Sequence, residues 1–515
     1  MTKLTEYTTY ADAQAHYVHA ALWDLFDGSR ERINIAHECI DRHAAGGATA
    51  VNVVTAGAAT QALSFREIAE KSSQFAHALE AQGIEPGERV AVMLEPSLAY
   101  YVALFGAMKM GAVAVPLFTL FGPDGIRLRV DDCRPRLLIT DAAKAADCRE
   151  IEGPAVQIAD DAWLDALSRY PADYAVDTKG DDLAALQYTS GTTRQLPDAV
   201  RHTHRSIVTL MNAALYGTGI RPGDVFFCPS SPAWGHGLWH GTLAPLALGV
   251  TTGTFAGRFD PVAFLEALQD LKITNLSAAA THFRLAKNTG RAGDFTYAID
   301  KLSFTGEPID ADTADFIAAT FGVPACSMYG TTEVGVILAN YPGAPDIAVK
   351  PGSLGKPVPG VVVEVHRPDG TVCDAGELGE IVVKRRDAWF RTKDLGKTDT
   401  DGHFYHGGRA DDVIISAGWT MSAVEIEDAI LKHADVLEAA VIGVPDDVRG
   451  QVVKAYVVSG RAGGDAFATE IQDGVRARLS QHEYPRQVAF VAELPKTPAG
   501  KINRKALRDA EAAAT

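Results

Sequence analysis

The sequence lacks the features that mark disulfide-rich, zinc-binding or nucleic-acid-binding proteins. Its six cysteines form no CxxC pair and no zinc-like spacing, which favours reduced thiols. Lysine and arginine together number 48 against 65 aspartates and glutamates, and the net charge of −17 argues against non-specific binding to nucleic acid. The polar start MTKLTEYTTYADAQ contains acidic residues and has no secretory apolar core. We therefore expect a cytoplasmic protein with no nucleic-acid partner.

Long uninterrupted apolar runs are also missing. The most apolar region, residues 97–122, is interrupted by Lys109 and Pro116. Its first part fits a buried helix over 98–110, and its second part fits a buried strand over 111–117. The sequence therefore predicts no membrane span here. A hydrophobic content of 47% and a charged content of 22% are ordinary for a globular enzyme, and 515 residues are enough for two or more domains.

Apolar runs alternate with helical patterns in the first part of the chain. Because strands that alternate with helices form layered sheets, the pattern predicts an α/β fold with largely parallel strands. The predicted strands lie at 89–94, 111–117, 136–140 and 225–228, and two clear helices lie at 65–82 and 261–271.

The predicted pattern of secondary structure changes near residue 408. Before it, residues 351–384 read as short antiparallel strands joined by tight turns, a small β-barrel-like part of the large domain. After it comes a smaller α+β unit with helices predicted at 422–433 and 467–479 and strands at 437–444 and 452–458. We predict a large N-terminal domain over 1–408, a hinge over 409–412, and a small mobile C-terminal domain over 413–515.

One polar loop could hold phosphate. The stretch YTSGTT offers hydroxyl side chains, a run of backbone N–H groups and one glycine, which together can surround phosphate oxygens. Its residues are Thr189, Ser190, Gly191, Thr192 and Thr193. Taken alone, the same cluster also suits a polar surface turn.

Five further stretches accompany this loop in a fixed order. They are LSFTGEPID from Leu302, MYGTTEVG from Met328, FRTKDL from Phe390, GRADDVIISAGWTMSAVEIE from Gly408 and LPKTPAGKINRKAL from Leu494. The ordered set resembles the adenylate-forming superfamily of acyl- and aryl-CoA synthetases, peptide-synthetase adenylation domains and firefly-type luciferases. The resemblance covers roughly residues 60 to 505 and is closest to acetyl- and medium-chain acyl-CoA synthetases.

The resemblance implies an ATP-dependent ligase. In such an enzyme a carboxylate attacks ATP to give acyl-AMP, and coenzyme A then displaces AMP. Lys501 falls on the family's catalytic lysine, which bridges the carboxylate and the α-phosphate. Thr332 and Glu333 fall on its metal motif, and a carboxylate beside hydroxyls suits Mg²⁺.

Other positions are implied to bind the nucleotide or coenzyme A. Asp394 resembles the acceptor of the ribose hydroxyls, and Arg409 the guanidinium near ribose or phosphate. Gly418 resembles the position beside the pantetheine arm, and Asp411 the residue about which the small domain rotates. The positions that resemble the family's adenine-binding segment are Gly306, Glu307 and Pro308, and Tyr329 is a further predicted cofactor-binding position.

The phosphate loop departs from the family pattern. After YTSGTT the chain reads RQLPDA, with Asp198 where a lysine is typical and Ala199 where a glycine is typical. Arg194 and Arg201 flank this gap and can supply positive charge. We expect a variant but working loop; the competing interpretation is a pseudoenzyme that binds nucleotide without turnover.

The acid pocket is predicted from four positions: Trp234, His236, His282 and Gly330. Acetyl-specific relatives carry a tryptophan where Gly330 stands, so this chain is expected to take a larger medium-chain, alicyclic or aryl acid. His236 and His240 lie four residues apart, but no third ligand accompanies them, and core or pocket histidines are the favoured interpretation. Free coenzyme A is the expected acceptor, with loading of a separate carrier protein as the alternative.

Overall fold

The computed structural model describes residues 3–514 except for 189–198, 307–308, 332–333, 410–413, 417–418, 422, 447–449, 480–483 and 497–501. The described residues fall into two compact units. The larger unit contains the chain up to Pro351 together with Pro357–Gly360, and the smaller unit contains Gly352–Lys356 and the chain from Val361 onward. A division of domains at residues 409–412 stays a prediction.

The larger unit is built from strands, helices and short helical turns in alternation. Its strands are β1 (Thr49–Val54), β2 (Gln61–Ser64), β3 (Arg89–Met93), β4 (Val113–Pro116), β5 (Leu137–Thr140), β6 (Ala155–Ile158), β7 (Leu183–Gln187), β8 (Val200–Thr203), β9 (Val225–Phe227), β10 (Thr251–Phe255), β11 (Asn275–Ala279), β12 (Lys301–Thr305), β13 (Cys326–Thr331) and β14 (Gly335–Ala339).

The helices of the larger unit are α1 (Tyr10–His16), α2 (Ile35–Cys39), α3 (Phe65–Ala81), α4 (Leu98–Lys109), α5 (Pro123–Cys133), α6 (Ala145–Arg149), α7 (Asp161–Ala166), α8 (Ser206–Tyr216), α9 (Ala244–Ala247), α10 (Pro261–Asp270), α11 (Ala280–Asn288) and α12 (Ala311–Phe321). A π-helix covers His236–Leu243. Short 3-10 helices cover Leu4–Glu6, His19–Leu25, Asp41–Gly46, Leu167–Arg169 and Ala292–Asp294.

Two sheets organise this unit. One has the order β6-β5-β3-β4-β7-β8, with all strands parallel except the edge strand β8, which runs antiparallel to β7. The other runs β14-β13-β12-β11-β9-β10-β1-β2; its six inner strands are parallel, and β14 and β2 are antiparallel to their neighbours. The predicted layered α/β fold is confirmed.

The smaller unit contains β15 (Ser353–Pro357), β16 (Val363–His366), β17 (Gly379–Arg385), β18 (Ala388–Thr398), β19 (Phe404–Arg409), β20 (Ile414–Ser416), β21 (Trp419–Met421), α13 (Ala423–Ile430), β22 (Val436–Asp446), β23 (Gly450–Ser459), α14 (Asp465–Arg478), β24 (Gln487–Phe490) and α15 (Arg504–Ala514). Strands β16-β17-β18-β19-β15 pair antiparallel, as the turn pattern predicted. Strands β22-β23-β24 form a second sheet, and the predicted C-terminal helices and strands are all present.

The apolar region of residues 97–122 is a buried part of the larger unit. It forms α4 and β4, as predicted, and Ser97 caps α4 by accepting a bond from the Tyr100 N–H. The Lys109 ammonium is buried but fully partnered, since it contacts Asp41, the Ala69 carbonyl and the Ser73 hydroxyl at 2.6–2.8 Å. Within the described residues no helix is both long and apolar enough to cross a membrane.

Three histidines of the larger unit, each with a buried ring nitrogen, make its stability depend on pH. Burial lowers the pKa of His202, His204 and His240 to about 4 each. In the unfolded chain the same groups titrate near 6.5, so between pH 6.5 and pH 4 the unfolded state binds more protons than the folded state. The stability of this unit therefore falls as the pH falls through that range.

We predict that lowering the pH from 7 to 5 reduces the free energy of unfolding by roughly 2 kcal/mol for each of these histidines. Urea titrations at the two pH values measure the effect. In His204→Asn the loss between pH 7 and pH 5 should shrink by about that amount, whereas the exposed His16→Asn should leave it unchanged. An equal loss in wild type and His204→Asn would contradict the prediction.

Candidate functional site

The predicted site residues of the larger unit gather at one edge of its longer sheet. Trp234 and His236 follow β9, His282 lies in α11 directly after β11, Gly306 follows β12, and Tyr329 lies near the end of β13. These strands are parallel neighbours, so their carboxyl ends point to the same edge. In open α/β sheets ligands bind in the crevice outside the carboxyl ends of the strands.

Trp234 packs against the backbone of Gly306. A Cβ atom at position 306 would lie only 3.2 Å from Cη2 of the indole, and Gly306 has a φ of +95°, which disfavours other residues. The contact joins a predicted wall of the acid pocket to the segment that resembles the adenine-binding motif. The sequence predicted both residues separately, and the structure brings them together.

His236 is fixed by hydrogen bonds on both ring nitrogens. Nδ1 lies 3.0 Å from the Ser230 hydroxyl and Nε2 lies 2.9 Å from the Ser277 hydroxyl, which in turn accepts a bond from Ser303 at 2.8 Å. Burial, followed by repulsion from His240 and His282, lowers the pKa of His236 far below its ordinary value. The imidazole is therefore neutral and supports Trp234, whose ring centroid lies 5.5 Å away in an edge-to-face arrangement.

His282 has a structural role. Its Nδ1 accepts a hydrogen bond from the Ala279 N–H at 3.2 Å at the start of α11, and its ring packs edge-on against Phe259 at 4.6 Å. The side chain is half-buried. It lies at the predicted edge of the sheet, but helix capping already accounts for its position.

Gly330 is required by the backbone of the hairpin formed by β13 and β14. A Cβ atom there would lie 1.9 Å from the carbonyl oxygen of Gly335, and the register of the hairpin shifts between Tyr329 and Gly330. Its lack of a side chain therefore has a reason independent of the size of the acid. Its effect on the pocket stays a prediction.

The smaller unit places two predicted nucleotide contacts side by side. Asp394 on β18 is the direct cross-strand partner of Arg409 on β19. The Asp394 side chain is buried, its N–H donates to the Thr392 hydroxyl at 3.1 Å, and Oδ1 lies 3.9 Å from Nε2 of His406. A pair of neighbouring strands thus supplies both the predicted ribose carboxylate and the predicted arginine position.

The remaining predicted residues lie outside the described residues, and their roles stay predictions. The first group is Thr189, Ser190, Gly191, Thr192 and Thr193, between β7 and β8. The second is Thr332 and Glu333, between β13 and β14. The others are Glu307, Pro308, Asp411, Gly418 and Lys501.

The structure adds three residues that the sequence analysis did not identify. Trp239, in the π-helix, donates a hydrogen bond from Nε1 to Oε1 of Gln187 at 3.0 Å, and its ring lies 4.3 Å from that of His202. Gln187 ends β7 and His202 lies on β8, so the contacts fall on both sides of the predicted phosphate loop. The only sequence signal was the glycine-rich run GHGLWHG, since a π-helix cannot be predicted from periodicity.

Two glycines permit this π-helix. A Cβ atom at Gly237 would lie 2.1 Å from the carbonyl oxygen of Ser231, and one at Gly241 would lie 2.9 Å from Sγ of Cys228. The helix therefore packs closer to the strand β9 segment than any larger residue allows. This close approach fixes the position of the helix that carries His236 and Trp239.

Family models and individual relatives with similar sequences identify the same family. The family model described as AMP-binding enzyme matches residues 40–389, and the model of its C-terminal domain matches residues 425–501. An uncharacterised acyl-CoA ligase of Bacillus subtilis (strain 168) is 31% identical, with 93% of this chain and 96% of the relative covered. The 3-hydroxybenzoate–CoA ligase of Aromatoleum sp. (strain CIB) is 30% identical over 94% of this chain and 98% of its own.

Among solved structures, an anthranilate CoA ligase in complex with anthranoyl-AMP superposes with a TM-score of 0.83 at 26% identity, covering 95% of this chain and 99% of its own. The family match covers more than half of the chain, and it agrees with the motif order, the parallel sheets and the gathering of site residues at their carboxyl ends. The chain belongs to the AMP-binding enzyme family, the adenylate-forming superfamily of acyl-CoA synthetases.

Proposed function

We propose that this AMP-forming carboxylic acid–CoA ligase activates a medium-chain, alicyclic or aryl acid and transfers it to free coenzyme A. The observation that carries the proposal is the contact of Trp234 with Gly306. It sets the predicted wall of the acid pocket against the predicted adenine segment, an arrangement that suits a carboxylate brought next to the α-phosphate of ATP. Proximity of this kind supplies much of the rate enhancement in two-substrate reactions.

In the first half-reaction a carboxylate oxygen attacks the α-phosphorus, and the bond to pyrophosphate breaks. Charge grows on the oxygens around phosphorus, and the ammonium of Lys501 is proposed to stabilise it. Asp394 is proposed to accept bonds from the ribose hydroxyls, and the Thr189–Thr193 hydroxyls and amides to hold the phosphates. Thr332 and Glu333 offer oxygen donors of the kind Mg²⁺ prefers, and the ion would neutralise phosphate charge when bound with ATP.

In the second half-reaction the thiolate of coenzyme A attacks the acyl carbonyl and AMP leaves. The proposed rotation of the small domain about Asp411 removes Lys501 and presents the Gly418 segment to the pantetheine arm. Such a change needs only a few backbone angles to differ between the two states.

The location of the protein is a separate question, and a cytoplasmic location stays a prediction from the sequence.

Two of the similar proteins are named for aromatic acids. The Aromatoleum ligase is named for 3-hydroxybenzoate, and the anthranilate CoA ligase binds anthranoyl-AMP in a structure of the same fold. Trp234 offers a flat ring at the predicted pocket wall, held by His236. Benzoates and cyclic acids therefore come first in a substrate panel, followed by straight-chain acids from acetate upward.

We predict that purified protein releases pyrophosphate and AMP with Mg-ATP, coenzyme A and at least one acid of this panel. Lys501→Ala should lower acid-dependent pyrophosphate release by about 100- to 1,000-fold, because one charge-stabilising donor is lost. It should still form the thioester from chemically prepared acyl-AMP, a reaction in which Lys501 has no proposed part.

The matched control is Lys505→Ala, which removes a nearby exposed lysine paired with Asp509 at 2.9 Å and should leave both half-reactions unchanged. Pyrophosphate release without coenzyme-A-dependent AMP formation would favour a carrier-loading enzyme instead. ATP binding without pyrophosphate release from any acid would point to a nucleotide-binding pseudoenzyme.

The unusual loop gives a second prediction. Asp198→Lys restores the ammonium typical of the family, and a charge-assisted bond to phosphate is worth roughly 1.5 to 3 kcal/mol, so the KM for ATP should fall by about 10-fold or more. Asp198→Asn removes the negative charge without adding a donor and should give a smaller improvement. If both variants match the wild type in steady-state assays at varied ATP, Arg194 or Arg201 already provides the charge.

A further inference from the structure

We propose that Trp239 is a positioning residue for ATP binding, because it anchors both stems of the phosphate loop to the π-helix that begins at the predicted pocket residue His236. The inference rests on the proposed function, in which residues 189–193 hold the phosphates. It concerns residues on either side of that loop, all of which the structure describes.

The predicted phosphate loop connects β7 with β8, and β8 is a short strand at the edge of its sheet. Strand β8 has only four residues and forms the edge of its sheet, so β7 is its single strand neighbour. In this pair Gln187 lies opposite Val200, and Ala185 lies opposite His202. Short edge strands have few contacts to hold them and open more easily than inner strands. The loop between β7 and β8 therefore needs an anchor from outside the sheet.

Trp239 supplies that anchor on both sides. Its Nε1 donates to Oε1 of Gln187 at the end of β7, before the loop, and its ring packs against the ring of His202 on β8, after the loop. Burial lowers the pKa of His202 to about 4, so the two rings meet as neutral aromatics at neutral pH. Gln187 and Trp239 are 3% and 7% exposed, so water does not compete effectively for the bond.

Of the two sides of this contact, the π-helix that contains Trp239 is the more firmly held. Trp239 lies in the middle of the π-helix, and its carbonyl accepts the bond from the Ala244 N–H that is typical of such a helix. The same helix begins at His236, which two serines hold. Loss of the indole N–H is thus expected to release the strand pair while the helix and His236 stay in place.

The direct test compares Trp239→Phe, Gln187→Met and the double variant with wild type. Each single change should raise the KM for ATP by about 3- to 10-fold, the effect of losing one buried hydrogen bond that holds the loop stem. The KM for the acid should change less than twofold. The double variant should resemble the larger single effect, because both changes break the same bond.

Trp163→Phe is the matched control. Trp163 donates to Oε1 of Gln157 at 3.3 Å, a bond of the same chemistry at β6 and α7, far along the chain from the phosphate loop. This variant should lower the melting temperature without changing the KM for ATP. If Trp239→Phe behaves the same way, or if the double variant is additive, Trp239 has a structural role only and the proposal is wrong.

Two outcomes need separate readouts. If Trp239→Phe does not fold, the KM of Gln187→Met decides: a rise supports the proposal and an unchanged KM overturns it. If wild-type protein releases no pyrophosphate with any acid, the proposed function fails, and the same comparison is made on the Kd for Mg-ATP by calorimetry. A wild-type Kd that Trp239→Phe leaves unchanged overturns the inference on its own.

Discussion

The arrangement of the site depends on one constraint: parallel strands bring their carboxyl ends to the same edge of a sheet. Strands β9, β11, β12 and β13 are hydrogen-bonded neighbours, although the chain visits them far apart in sequence. Each must therefore be followed by a helix or loop that returns over the sheet. Site residues separated by up to about a hundred positions are collected at one edge because the segments after these strands begin there.

The residues at that edge are closely packed, although several of them lie in loops, which usually have more conformational freedom. Trp234 contacts the backbone of Gly306, and its neighbour His236 is neutral, buried and bonded on both nitrogens. Buried polar groups with complete hydrogen bonds favour one arrangement over its alternatives. The predicted pocket wall is thus preorganised, and preorganisation of a binding site lowers the entropy that is lost on binding.

Charge is distributed differently in the two units. In the larger unit the neutral His236 lies between two serines, whereas the smaller unit places Asp394 opposite Arg409 on adjacent strands. A neutral wall suits an apolar acyl group, and a carboxylate beside an arginine position suits ribose and phosphate.

The sequence by itself determined the family, the α/β class and several of the elements, because hydrophobic periodicity, tight turns and six ordered motifs are local features. It predicted α3, α4, α13, β22, β23 and α14 to within a few residues, but not β24 or α15. It interpreted Gly330 only through the acid pocket, whereas the 1.9 Å approach to Gly335 shows a need of the hairpin itself. It did not distinguish the capping role of His282, and it missed Trp239 entirely. Those facts depend on contacts between segments distant in the chain and on a π-helix made possible by Gly237 and Gly241. Only the tertiary structure decided them, because a residue's neighbours in space are set by packing and not by spacing along the chain.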